Sequence, residues 1–99
     1  MIKIQTHTDN GPQFKVQTKG GGTLLTSITF SDKSKMDETI KNLMAVRLTR
    51  NHFERQTNTE GKFIFSLKDD AGSTIGHSEP YDSEAGMENG IKNLGTNLK

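Results

Sequence analysis

The sequence predicts an α+β fold made of two tandem βββα repeats, which form a six-stranded antiparallel sheet with two helices packed on one face. Three observations support it. A shift of 51 positions aligns residues 21–43 with residues 72–94 without a gap. Apolar and polar residues alternate along short segments, as in strands with one face in water. Each copy then changes to the period of an amphipathic helix, so we expect a pseudo-two-fold axis between the copies.

The chain's 99 residues suit a single domain, with residues 1–48 as the first repeat and residues 52–97 as the second. Its 13 basic and 12 acidic residues leave a net charge of +1, which lacks the one-signed field of a dedicated binder of nucleic acid or anionic membranes. The absence of cysteine excludes disulfides, thiolate chemistry and cysteine-rich zinc sites. No apolar run reaches the roughly 20 residues of a membrane span, and we expect a soluble cytoplasmic protein.

The first two strands of each repeat are predicted from strict alternation. The inward positions are Ile2, Ile4, Phe14, Val16, Phe53, Phe63, Phe65 and Leu67. Their polar neighbours, expected on a face open to solvent, are Lys3, Gln5, Lys15, Gln17, Glu54, Lys62, Ser66 and Lys68. A third strand follows in each repeat, in "TLLTSITF" (23–30) and "STIGHSE" (73–79), and Pro80 ends the latter.

The two repeats are not expected to be equal in length. Eight of the 23 positions aligned by the shift of 51 are identical. Upstream, the alternation is aligned with an offset of 49, which pairs Phe14 with Phe63 and Val16 with Phe65. We therefore expect a two-residue difference in the turn, "TKGG" against "LKDDAG", where changes of length cost little.

Each repeat ends in an amphipathic helix. The buried stripes are predicted to be Met36, Ile40, Leu43 and Met44 in the first repeat and Met87, Ile91, Leu94 and Leu98 in the second. Asp32 and Ser83 suit N-caps, with Ser34 as a rival to Asp32, and Gly95 suits a helix end.

Within the second helix, "ENGI" (88–91) contains two poor helix formers. Gly90 borders the apolar stripe, so its missing side chain predicts close contact with the sheet or with the other helix; the alternative is a backbone opening for a ligand. Asn89 is expected to hydrogen-bond a strand-end or loop carbonyl.

The second repeat resembles the YegP-like family of small bacterial proteins of uncharacterised function. The matching positions are Phe63, Phe65, Leu67, Lys68, Gly72, Ile75, Ser78, Glu79, Tyr81, Glu88, Asn89, Gly90 and Ile91. The resemblance implies the βββα repeat, here in tandem form, and implies no activity. The first repeat departs from the pattern, with Ile28 at the position of Glu79, Phe30 at that of Tyr81, and Glu38-Thr39 at that of Asn89-Gly90.

No pattern for a metal or cofactor is present. His7, His52 and His77 lack the spacing of a metal site, and we interpret them as surface or turn histidines. The cluster of His77, Glu79, Tyr81 and Asp82 is interpreted as a strand edge that bonds to the start of a helix. We therefore predict no catalytic, cofactor or metal residues.

Three functional hypotheses remain. The first is a non-enzymatic binding or accessory protein, a monomer that contacts an unknown macromolecule through the open sheet face or a strand edge. The second is a weak binder of single-stranded nucleic acid through Lys3, Lys15, Lys62 and Lys68. Such binders stack bases on exposed aromatic side chains, whereas the aromatic residues of these strands are predicted on the buried side, which counts against this hypothesis. The third is an enzyme working at the corner of Glu79, Tyr81 and Asn89.

Overall fold

The computed structural model of the chain describes residues 2–5, 11–46 and 48–98. Three strands, β1 (Ile2–Gln5), β2 (Gln13–Gln17) and β3 (Thr23–Ser27), precede helix α1 (Lys33–Ala45). A 3-10 turn (Arg50–His52) leads to β4 (Phe53–Thr57), β5 (Phe63–Lys68), β6 (Thr74–His77) and helix α2 (Glu84–Asn97). We call the described residues up to Val46 the first half and those from Leu48 onward the second half. The predictions for His7 and for the side chains of Lys3, Ile4 and Gln5 lie outside the described part.

The strands hydrogen-bond in the order β1-β2-β3-β6-β5-β4, and each neighbouring pair is antiparallel. The predicted α+β class, with an antiparallel sheet and two helices, is confirmed. The third strand of each half is shorter than expected and ends at Ser27 and at His77. These two strands meet at the centre of the sheet, where a Cβ on Gly76 would lie 2.6 Å from the backbone oxygen of Thr26.

One hydrophobic core joins the two halves. On the sheet, Phe14, Val16, Phe65 and Leu67 are fully buried, as the alternation predicted, whereas Phe53 and Phe63 are half-buried and pack against the edge of the core. The helices contribute Met36, Leu43, Met87 and Leu94 to the same cluster, and the C-cap of α2 contributes Leu98. Both helices therefore cover the same face of the sheet.

Bulges explain two buried side chains that period-two alternation does not. Leu24 and Leu25 are adjacent and both buried, because the pairing of β2 with β3 shifts between Val16 and Gln17, which leaves Leu24 as the extra residue. The pairing of β5 with β6 shifts in the same way and turns Ile75 into the core.

The expected offset of 49 in the first two strands is wrong. The Oγ of Ser27 accepts from the backbone N–H of Phe14 (2.8 Å), and the Oγ of Ser78 accepts from that of Phe65 (2.9 Å), so Phe14 corresponds to Phe65, 51 residues later. The turns after β2 and β5 also have equal length, with equivalent backbone bonds from Gly21 to Thr18 and from Gly72 to Asp69. A two-residue slip leaves the inward and outward sides of a strand unchanged, so the alternation could not reveal it.

The sequence predicted where the helices begin more accurately than where they end. Asp32, rather than Ser34, caps α1 by accepting from the backbone N–H of Lys35, and Ser83 caps α2 by accepting from that of Gly86. Gly95 was expected to end α2 but lies inside it. The assignment of Met44 to the buried stripe is also wrong, since 47% of its surface is exposed.

The face of the sheet opposite the helices is polar, but it is less open than predicted near β5. Ser66 was expected to face water, yet only 2% of its surface is exposed, and its Oγ lies 2.9 Å from Nδ1 of His77. Around it, Lys15, Thr26, Ile64 and Lys68 are half-buried, whereas Glu54, Gln56 and His77 are exposed. We call this surface the open face.

Candidate functional site

Tyr81 is the most constrained residue of the predicted corner. Its backbone exchanges two hydrogen bonds with Phe63, each 2.8 Å long, and its ring stacks on Phe65 with the ring centres 6.4 Å apart. Burial, followed by the nearby charge of Glu79, raises the pKa of the Tyr81 hydroxyl. The hydroxyl therefore stays protonated at neutral pH and is not a general base.

The other two residues of this corner lie at the surface. Glu79 and Asn89 are both exposed, and neither makes a side-chain hydrogen bond with a described residue. The expectation that Asn89 bonds a strand-end or loop carbonyl is therefore wrong within the described chain. General acid or base catalysis requires groups within hydrogen-bonding reach of each other or of a substrate held in a cleft, and this arrangement does not show that.

Gly90 makes its close contact with the side chain of Tyr81. A Cβ built on Gly90 would lie 2.2 Å from the hydroxyl oxygen and 2.5 Å from Cζ of that ring. The prediction of close packing is confirmed, but the partner is neither the sheet backbone nor the other helix. No ligand is needed to explain this glycine, because the tyrosine occupies the space.

The rest of the "ENGI" segment ties α2 to the edge strand. Glu88 accepts from both Nε and Nη2 of Arg55 on β4, the latter at 2.9 Å, and Arg55 lowers the pKa of the Glu88 carboxyl. Ile91 is half-buried and packs on the core. No contact with another described residue explains Asn89.

The lysines proposed as a nucleic-acid surface are largely engaged. Lys62 pairs with Asp82, and Lys68 pairs with Glu54, which also accepts from Gln56 at 2.5 Å. Lys15 is half-buried on the open face, and the side chain of Lys3 lies outside the described part. Phe14 of β2 and Phe65 of β5 are buried on the opposite side of the sheet, as predicted.

Of the two interpretations of His52, as a surface or a turn histidine, the turn is confirmed and the surface is wrong: the residue ends the 3-10 turn, and only 8% of its surface is exposed. Its Nδ1 accepts from the backbone N–H of Thr49 (3.0 Å), which leaves Nε2–H to donate to Oδ1 of Asp70 (2.7 Å). The imidazole therefore links the segment between the halves to the turn after β5. His77 is exposed, as expected.

A small pocket of about 100 Å³ lies beside this histidine, between the end of α1 and the turn after β5. Its walls combine Leu43 and Ile75 with the polar side chains of Asn42, Asp69 and Asp70. Sites for drug-sized ligands hold roughly 300–1,000 Å³, so this pocket could admit only a very small molecule. The sequence did not predict this pocket. His52 and Asp70 are 18 residues apart, and this spacing matches no known motif.

Among the described residues, no group of three or more histidine, aspartate or glutamate side chains is placed to hold a metal ion. Within the same ranges, neither helix is long and apolar enough to cross a membrane.

Comparison with known proteins relates the chain to a group of proteins of unknown function. A domain of unknown function (DUF1508) matches residues 58–97, from the turn after β4 through α2. The UPF0339 protein plu2779 of Photorhabdus laumondii is 32% identical over 79 residues, which cover 80% of this chain and 69% of that protein. The UPF0339 protein YegP of Escherichia coli K12 is 27% identical over 96 residues, covering 97% of this chain and 87% of that protein.

The fold has also been observed experimentally in relatives. The solution NMR structure of yegP from E. coli, a protein of unknown function, superimposes with a TM-score of 0.88 and 26% identity, over 99% of this chain and 84% of that one. The NMR structure of the UPF0339 protein SO3888 of Shewanella oneidensis also gives a TM-score of 0.88, at 24% identity, and supports the fold alone. The resemblance noted in the sequence is thus confirmed.

Proposed function

This chain belongs to the YegP-like UPF0339 family, and from that premise we propose that it is a small non-enzymatic binding protein. Its partner is a macromolecule, and the contact surface is the open face of the sheet. The observation that carries the proposal is that both helices pack on one face, while no described element covers the other. The open face is a broad sheet surface, and such a surface is better suited to contact a large partner than to enclose a small substrate.

The chemistry of the open face favours a partner with mixed polarity. Thr26 and His77 lie opposite each other at its centre, where β3 and β6 meet, and neither carries a fixed charge. Ile64 adds a half-buried apolar patch, and the ion pair of Glu54 with Lys68 neutralises one of the lysines. The surface therefore combines uncharged and apolar groups with the charge of Lys15, which lies opposite Thr26 on the neighbouring strand, and such mixed polarity is common in protein interfaces.

The alternatives have weaker support. Two of the four lysines that would contact a nucleic-acid backbone already pair with carboxylates, and base-stacking aromatics face the other side of β2 and β5. Catalysis at Glu79, Tyr81 and Asn89 lacks interacting groups within the described residues.

We further propose that the chain is one domain of two tandem βββα repeats, related by a pseudo-two-fold axis, and that it works in the cytoplasm as a monomer. The equivalent serine bonds, bulges and turns at a spacing of 51 residues support the duplication. The shared core supports the monomer, because each half already buries its apolar face against the other.

A matched pair of variants tests the binding surface. Thr26→Arg places a long cation at the centre of the open face, whereas Thr96→Arg makes the same change on the exposed side of α2. A macromolecule captured by the intact protein is purified, and its affinity for each variant is measured. We expect Thr26→Arg to weaken binding about tenfold or more, the effect of disturbing a central contact, and Thr96→Arg to leave it unchanged.

Three results would contradict the proposal. The first is that no macromolecule is retained specifically, and the second is that both variants bind as the intact protein does. The third is capture of RNA or single-stranded DNA with an affinity that falls steeply with salt, which would favour the nucleic-acid hypothesis instead.

A further inference from the structure

A groove lies on the helix side of the molecule, well apart from the open face. It has a volume of about 370 Å³ and runs between α2, β4 and the segment that joins the two halves. Leu48, Phe53 and Ile91 provide its apolar walls, and all three are half-buried. This volume falls within the range of small-ligand sites, unlike the pocket beside His52.

The rim of the groove is cationic. Arg50, Arg55 and Lys92 line it, and no acidic residue does. Arg50 and Lys92 are exposed and form no ion pair with a described residue, although Arg50 is near enough to Glu88 to lower the pKa of that carboxyl. Arg55 already holds Glu88 with two of its nitrogens. Its pairing shows how a carboxylate is bound at this rim, and two further cations stay available there.

Gly95 keeps the groove open at the α2 end. A Cβ built on it would meet no atom within 4 Å, so space lies in front of this position. The first half has different residues at two positions that shape the groove. It has Met44 at the position of Gly95, where a long side chain would cover the corresponding surface, and Ile4 at the position of Arg55. The glycine and the arginine that shape this groove therefore do not recur at the corresponding positions of the first half.

We propose that this groove binds a small amphiphilic acid, with its carboxylate at Arg50 and Lys92 and its apolar body against Leu48, Phe53 and Ile91. A cationic rim over apolar walls is complementary to this ligand class in both charge and shape. The binding is independent of the macromolecular partner proposed above and uses the opposite side of the sheet.

Binding is tested with the intact protein, labelled with ¹⁵N, and four probes: octanoate, octylammonium, octanol and acetate. We expect octanoate to shift the amide resonances of residues 48–53 and 91–95. Octylammonium has the wrong charge, octanol has none and acetate has no apolar body, so each should bind about tenfold more weakly or not at all. Equal binding of octanoate and any of the other three, or resonance shifts confined to other regions, would overturn the proposal.

Substitutions at Gly95 separate loss of the site from loss of the fold. Gly95→Met copies the first half and fills the groove, and Gly95→Ala fills it only slightly. Because the new Cβ meets open space and both residues favour helix more than glycine, both variants should unfold at a higher temperature than the intact protein. We expect octanoate affinity to fall about tenfold or more in Gly95→Met, since the chain loses its apolar contacts. Unchanged affinity in this stable variant would contradict the assignment.

A second pair of variants tests the carboxylate contact. The double variant Arg50→Gln with Lys92→Gln should lower octanoate affinity about tenfold or more. Lys41→Gln, at the position of the first half that corresponds to Lys92, should have no effect. Equal losses in both would show a general effect of charge and would count against a defined site.

Discussion

The two halves solve the same packing problem with different side chains. In the first half Phe30 stacks on Phe14, with ring centres 6.0 Å apart, and in the second half Tyr81 stacks on Phe65 at 6.4 Å. The extra hydroxyl of Tyr81 lies against the helix, where the second half has Gly90 and the first half has Thr39 at the corresponding position. The glycine in α2 is thus explained by the tyrosine before it.

The backbone beside these rings also differs between the halves. Phe63 and Tyr81 exchange two hydrogen bonds, whereas Phe30 donates one to the carbonyl of Pro12, which has no N–H to return. The second half is also the half with ion pairs: among described residues, the three pairs of an arginine or lysine with a carboxylate all lie within it, as does the hydrogen bond from His52 to Asp70. We interpret the second half as the one whose conformation is fixed by more hydrogen bonds and ion pairs among the described residues.

The largest effect is expected at Gly90. Gly90→Leu should lower the free energy of unfolding by about 1 to 3 kcal/mol or more, because the new side chain would force the Tyr81 ring off Phe65. Gly90→Ala should also destabilise, since its Cβ alone meets the ring. Helix propensity predicts the opposite sign, a gain of about 0.5 to 1 kcal/mol for alanine. Denaturant unfolding measures the sign directly.

Two further variants sharpen this test. Gly95→Ala makes the same substitution five residues later in α2, where open space predicts a gain in stability. The double variant Tyr81→Phe with Gly90→Thr copies the pair of the first half, and should be more stable than Gly90→Thr alone. If Gly90→Ala and Gly95→Ala were both stabilising, contact with Tyr81 would not be the reason for the glycine.

The serines that bond the backbone of Phe14 and Phe65 give the next largest effect. The Ser27 Oγ accepts from the N–H of Phe14 and donates to the carbonyl of Ile28, and Ser78 makes the equivalent bonds to Phe65 and Glu79. Ser27→Ala leaves a buried N–H without an acceptor and should cost about 1 to 3 kcal/mol. Ser78→Ala should cost less, because Ser78 is only half-buried and water can reach the vacated N–H.

Ser34→Ala provides the control for the serine variants. Ser34 is exposed in the first turn of α1, and the cap of that helix is Asp32, so the change should stay within about 0.5 kcal/mol of zero. A cost for Ser78→Ala equal to or above that for Ser27→Ala would show that burial does not set the difference between the halves.

The features that the sequence predicted correctly are those with a local cause. Asp32 and Ser83 were identified as caps because a cap bonds the backbone three residues away, so its signal lies within one helical turn. The alternation likewise identified Phe14 and Phe65 as core residues. It could not fix their correspondence, because a slip of two leaves the pattern unchanged. The signal that would have done so is the identity of Gln5 with Gln56 and of Phe14 with Phe65 at a spacing of 51.

The contacts that build the candidate sites were not predictable in the same way. Arg55 and Glu88 are 33 residues apart, and nothing in their spacing distinguishes them from the other charged residues of the chain. The burial of His52 depends on the turn after β5, which only the fold brings to it. Gly90 was recognised as a packing residue, but its partner was not, because a missing side chain does not indicate what fills its space.

The smallest effect is expected from the ion pair that ties α2 to β4. Arg55→Gln should lower the free energy of unfolding at neutral pH by about 0.2 to 1 kcal/mol, the range for exposed pairs screened by water, since 31% of the Arg55 side chain and 44% of the Glu88 side chain are exposed. Arg55 holds the pKa of Glu88 below its ordinary value of 4.5 in the folded protein. The contribution is therefore present above that ordinary value and is lost as the pH falls through the lowered pKa.

Unfolding curves of the intact protein and Arg55→Gln should accordingly differ at pH 7 and converge in acid. Lys41→Gln removes an exposed cation of α1 that has no ion pair among the described residues, so its difference from the intact protein should be small and change little with pH. A difference for Arg55→Gln that persisted unchanged below the lowered pKa of Glu88 would mean that Arg55 stabilises the fold by packing rather than by charge. In that case the greater number of ion pairs in the second half would not explain any difference in stability between the halves.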